Sequence, residues 1–146
     1  MRGQLLVVLL LPFSITQAGA VTTDCEANQF VVAMAAQRAL EEMAFSPQAS
    51  FAENNLSIQT DLKIIAEPDA VRYTAEPPAV EIRSRILVAI KAGDRDRSSY
   101  ELKVTLEKHS DDDTWIEIES SGALEKELNG SIRYFIERYR KAASLN

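Results

Sequence analysis

"IRSRILVAIKAGDRDRSSYELKVTLEKH", residues 82–109, decides the fold. Ile82, Ser84, Ile86, Val88 and Ile90 occupy every second position, and Tyr100, Leu102, Val104 and Leu106 resume the same period. A period of two places alternate side chains on opposite faces of a strand, so each run reads as a strand with one buried face. "KAGDRDRSS" between them is polar and contains Gly93, which suits the turn of an antiparallel hairpin. An apolar sheet face needs a second layer to cover it, and the rest of the chain must supply that layer.

Working outward, Leu56, Ile58, Thr60, Leu62 and Ile64 alternate with Ser57, Gln59, Asp61 and Lys63, which predicts a third strand behind the turn residues Asn54-Asn55. "KHSDDDT" reads as a second hairpin turn, followed by a short strand through Ile116 and Ile118. Ala66–Val80 carries Pro68, Pro77 and Pro78 and reads as loop or edge, with Val71 and Tyr73 in a short edge strand, since proline cannot donate to a ladder. Helical spacing flanks these strands. Val32, Ala36, Ala39, Leu40 and Met43 form one stripe, with Thr23 and Glu26 as a capping box before it and Pro47 after it. Leu124, Leu128, Ile132, Phe135, Ile136 and Tyr139 form another, with Asn129-Gly130 on its polar side. The expected fold is α+β: a two-layer sandwich of an N-terminal helix, about four antiparallel strands and a C-terminal helix, both helices on one sheet face. Phe135 is expected between the last helix and the sheet. The opposite face should be wet and carry Gln59, Asp61, Lys63, Arg83, Arg85, Glu101, Lys103, Glu107, Trp115, Glu117 and Glu119.

The first 20 residues read differently. Arg2 precedes the apolar run Leu5–Leu11, which Pro12 ends, and Ala18-Gly19-Ala20 fits an A-x-A cleavage site. The run is far short of the ~20 apolar residues that cross a bilayer. Residues 1–20 are therefore expected to be a signal peptide cut after Ala20. That leaves residues 21–146 as a single α+β domain, periplasmic or secreted, with no transmembrane segment. Cys25 is preceded by Thr22-Thr23-Asp24, unlike the small residues of a lipobox, and a lone cysteine forms no internal disulfide. Loss of Arg2 with the leader takes the formal charge from −6 to −7. Nucleic acid is not an expected partner, because binding it needs a basic field.

The stretch "AAQRALEEMAFSPQASFAENNLSIQTDLKI", residues 35–64, resembles the opening of small helix-plus-sheet domains in Gram-negative envelope assembly accessory proteins. Those include accessory lipoproteins of outer-membrane protein assembly and of lipopolysaccharide assembly. The resemblance extends in element order over the whole mature chain. It implies an envelope role and carries no catalytic residue across. The chain departs from the pattern in lacking a lipobox cysteine and in having Ala44 where a helix-ending glycine is usual.

Chemical motifs are sparse. There is one histidine, and no G-x-S-x-G, P-loop or H-E-x-x-H pattern. His109 with Asp111, Asp112 and Asp113 reads as a solvated turn rather than a calcium loop, which spaces its ligands around a glycine. No enzyme activity, metal or cofactor is expected. Trp115, an aromatic among outward polar positions, is the main candidate for partner contact, and Arg83 and Arg85 share its face. The expected function is a non-catalytic envelope binding or assembly-accessory module acting on a protein partner. The alternative is a small-molecule or lipid carrier with its ligand between sheet and helices.

Overall fold

A computed structural model describes residues 20–53, 55–76 and 79–144. The elements run β1 (Ala20–Cys25), α1 (Gln29–Glu42), β2 (Pro47–Ala52), β3 (Asn55–Thr60), β4 (Lys63–Ile65), α2 (Glu67–Tyr73), β5 (Ile82–Ala92), β6 (Ser98–His109), β7 (Trp115–Ile118) and α3 (Ala123–Ser144). The chain is α+β, with an antiparallel sheet of seven strands and three helices among the described residues. The sheet order is β1-β6-β5-β3-β2, with β4 also on β5 and β7 also on β6. The expected leader lies outside the described residues except for Ala20, whose backbone opens β1.

The β5–β6 hairpin is the centre of the sheet, and its register runs unbroken from Ile82↔Lys108 to Ala92↔Ser98. Ile82, Ser84, Ile86, Val88 and Ile90 are buried, as are Tyr100, Leu102, Val104 and Leu106. From α1, Val32, Ala35, Ala36, Ala39 and Leu40 join the same core, and from α3 Leu124, Leu128, Ile132, Phe135 and Ile136 do so. Alanines on α1 let its backbone approach closely, and α1 and α3 pack side by side over the sheet. Gly130 does not split α3, which is continuous over 22 residues.

Four expectations are corrected. Residues 20–25 are not part of a helix: they form β1, paired to β6 from Ala20↔Lys103 to Cys25↔Ser98. β-branched Thr22 and Thr23 favour that state. The cap of α1 is Asn28, whose Oδ1 accepts from the N–H groups of Phe30 at 2.9 Å and Val31 at 3.0 Å. β2 is an additional edge strand, hidden in the sequence because all but Pro47 of its residues are exposed and no apolar alternation marks it. Residues 67–73 are helix rather than loop or edge strand. Pro68 sits in the first turn, where its missing N–H has no intrahelical partner to lose.

The fourth correction concerns the strand read through Leu56–Ile64. β3 pairs with β5 up to Gln59↔Leu87, and β4 pairs with β5 from Lys63↔Ser84. Three residues separate Gln59 from Lys63, whereas two separate Leu87 from Ser84. The extra residue is a β-bulge at Asp61-Leu62, opposite Arg85. It inverts the alternation beyond it. Leu62 (40% exposed) and Ile64 (51% exposed) miss the core, and Ile65 takes the buried place. Lys63 leaves the wet face and turns to the helix side. There its Nζ donates to the Met43 carbonyl at 2.7 Å and lies 4.5 Å from the Phe45 ring centroid. A cation at that point complements the C-terminal end of α1. Thr60 Oγ1 repairs the ladder at the bulge by accepting the Ile86 N–H at 2.9 Å.

Helix α1 ends in a Schellman motif. The Phe45 N–H reaches the Leu40 carbonyl and the Ala44 N–H the Glu41 carbonyl, at 3.0 and 2.9 Å. Ala44 occupies the left-handed position, φ 64°. A Cβ is disfavoured there, so Ala44→Gly should stabilise the fold by about 0.5–1 kcal/mol. Urea unfolding should show a higher midpoint at unchanged slope. A lower midpoint would mean that unfolded-state entropy outweighs the relief of strain.

Candidate interaction surface

With α1 and α3 on one face of the sheet, the other face is built by the odd-numbered positions of β5 and β6. The register lines up Ile64, Arg83, Glu107 and Glu117 across four strands. Arg83 Nε donates to Glu107 Oε1 at 2.7 Å, and both side chains are about three-quarters covered. The Arg83 guanidinium carbon lies 4.1 Å from the Trp115 ring centroid. Trp115 is the register partner of His109, and their ring centroids are 4.8 Å apart. Trp115 is therefore not a bare ring. It is half-buried, fixed between a guanidinium and an imidazole, over the end of β6. Such contacts hold the indole in one orientation and leave its remaining area to solvent.

Trp115 and Arg83, singled out separately in the sequence, thus form one cluster. Glu107 and His109 complete it. Their part was legible in principle, since counting outward from the "KAGDRDRSS" turn places Glu107 opposite Arg83. Arg85 stands apart from this cluster. It pairs across β6 with Thr105 and lines a separate groove at the bulge. Glu101 and Lys103 also lie on this face, exposed.

The Asp-rich turn is internally engaged. Asp112 accepts from the hydroxyls of Ser110 and Thr114, the latter at 2.7 Å, which holds its carboxyl below the usual range. Asp113, at φ 64°, meets His109 Nε2 at 2.7 Å. The two carboxylates therefore serve different partners. Cys25 lies at the Ser98 end of β6 and His109 at the other end. At about 3.3 Å per residue that is roughly 35 Å, too far for a thiol–imidazole pair. Burial, and then the Asp24 carboxylate, push the Cys25 thiol up from its ordinary value, which disfavours the reactive thiolate.

Glu125 in the first turn of α3 is the buried carboxyl of the core, 2% exposed. Its Oε1 accepts from Ser120 Oγ at 2.8 Å, while Oε2 has no partner. Burial raises its pKa above the ordinary carboxyl value. On the neighbouring surface Arg72 bridges Asp69 and Glu127, and Tyr73 donates to Glu127 at 3.1 Å, which ties α2 to α3.

Surface clefts open at several places among the described residues. They are bounded largely by polar and charged side chains, and none reaches the central core residues Leu40, Ile58, Val88, Leu102 and Ile132. The carrier reading gains no apolar chamber from them. No family model matches the chain, and no curated protein matches it. A DUF4468 family protein from Bacteroides ovatus ATCC 8483, known from its crystal structure, is similar at 5% identity. The similarity covers 86% of this chain and 84% of that one, with a TM-score of 0.38, a level that carries no argument about function.

Proposed function

We propose that this chain is an exported, non-catalytic module of the cell envelope that works through protein–protein contact on the open face of its sheet. The observation that carries the reading is the Trp115–Arg83–Glu107 cluster, its side chains in mutual contact on a face that neither long helix covers. Aromatic and arginine side chains are the residues most enriched at the energetic centres of interfaces. Side chains already fixed by their neighbours lose little freedom on binding. The expected leader, residues 1–20, and the resemblance of residues 35–64 to envelope accessory domains support a periplasmic or secreted compartment. Catalysis has no support in the spacing of the nucleophile and base candidates.

The test places a photo-crosslinking residue at Lys103, on the open face, and recovers crosslinked partners from envelope extract. Trp115→Ala should weaken capture by about 30-fold, the equivalent of about 2 kcal/mol for a hot-spot aromatic. The double variant Arg95→Ala/Arg97→Ala, at the hairpin tip, should alter mainly encounter rate and salt dependence. If a folded Trp115→Ala protein captures the same partners while the hairpin variant loses them, the working surface is the hairpin tip instead.

A further inference from the structure

At the bulge, the open face sinks into a groove of about 580 Å³. Gln48 lies directly opposite Gln59 in it, and Ser50 opposite Ser57. Asp61 and Arg85 face each other across the bulge and both line the groove, yet they do not pair. Among the described residues, none of these six side chains has a hydrogen-bond or ion-pair partner within the chain. The bulge is the cause: it aims Asp61 and Arg85 at a common space rather than at ladder neighbours.

We infer that this groove binds a neutral saccharide. One carboxylate and one guanidinium cancel, so the site has no net charge to attract an ion. Two carboxamides and two hydroxyls offer donors and acceptors in mixed order. A sugar hydroxyl does both at once and can lie between Arg85 and Asp61, accepting from one and donating to the other. Planar carboxamide and guanidinium groups suit pairs of adjacent hydroxyls, which they engage through two atoms. An apolar ligand would strip water from six polar groups without replacing their hydrogen bonds. A peptide is recognised by pockets for alternate side chains, and here Leu62 is the main apolar side chain at the groove. This inference goes beyond protein contact through Trp115 and stands independently of it, since Trp115 does not line the groove.

The experiment titrates the isotopically labelled protein with chitotetraose, with maltotetraose and with tetra-alanine, followed by amide chemical shifts. Saturable shifts at Ser57, Gln59, Asp61 and Arg85 are expected with at least one oligosaccharide. They should be nearly unchanged between about 50 and about 500 mM salt, because no net charge is neutralised. Arg85→Ala and Gln59→Ala, both at exposed or surface-facing polar positions, should each weaken binding about tenfold, the effect of losing one charge-assisted or bidentate contact. Trp115→Ala should bind the sugar as well as the wild type, which separates failure here from failure of the protein-contact reading. Three outcomes overturn the inference: no saturable shift with either oligosaccharide, shifts confined to other surfaces, or equal shifts with tetra-alanine.

Discussion

Phe135→Ala should destabilise the protein by about 3–5 kcal/mol, the range for emptying an aromatic core site. Phe135 is 4% exposed. It lies on the side of α3 turned toward α1, with the Arg38 guanidinium carbon 5.3 Å from its ring centroid. Tyr134 meets it edge-on at 5.1 Å, and Tyr139 stacks at 6.1 Å. The ring thus belongs to the buried core and also meets α1 at the seam between the two helices. Its neighbours are anchored to two different elements and cannot collapse together into the space, which places the cost toward the upper end of that range. Glu137→Ala, two residues on, removes an exposed side chain paired with Arg140 at 3.0 Å and should fall within about 0.5 kcal/mol. Denaturant midpoints compare the two directly. Equal midpoints would mean that the seam is loosely packed and that α3 presents another face to α1.

The parts of the fold legible in the sequence are those where burial and periodicity coincide. β5 and β6 are central, each buried on one face, so every second residue had to be apolar or small. α1 and α3 bury one stripe each, and the stripes could be read from Val32 to Leu40 and from Leu124 to Ile136. The pattern fails where that coincidence fails. β2 is an exposed edge, and its Pro-Gln-Ala-Ser-Phe-Ala sequence carries no period. β1 is short, and its turn of Thr23 and Cys25 inward against Thr22 and Asp24 outward is too brief and too polar to read as a period. The bulge at Asp61-Leu62 is invisible because Leu62 and Ile64 continue the alternation in sequence while the chain itself shifts by one. The same gaps decide what could be read of the surface. Arg83 and Trp115 could be named because both flank well-marked strands. The groove could not, because one wall belongs to β2 and its floor turns on the bulge at Asp61-Leu62.

Above about pH 10 the fold should lose stability through Tyr100, and Tyr100→Phe should abolish that loss. Tyr100 points from β6 into the core, 1% exposed, and its hydroxyl donates to Asn129 Oδ1 on α3. Thr23 Oγ1 on β1 donates to the same oxygen at 3.1 Å, so one carboxamide oxygen joins β1, β6 and α3. Asn129, on the nominally polar side of its helix, is therefore a structural hub. Burial is the main cause that pushes the Tyr100 phenol up to about 12, against about 10 in an unfolded chain. The folded state thus holds the proton more tightly, and stability falls as pH rises from the unfolded value to the folded one. Two pH units correspond to about 2.7 kcal/mol, with no contribution below about pH 9. Tyr73, whose phenol is also raised by burial, adds a slope of the same sign, but it is present in both proteins and cancels in the comparison. Near pH 8 the Phe variant should be the less stable by about 1 kcal/mol, having lost one hydrogen bond. By about pH 12 the difference should close or reverse, because only the wild type must then ionise a buried phenol or unfold. Parallel stability curves for the two proteins between these limits would show that Tyr100 reaches solvent when ionised, and that the Thr23–Asn129–Tyr100 junction opens without unfolding the sheet.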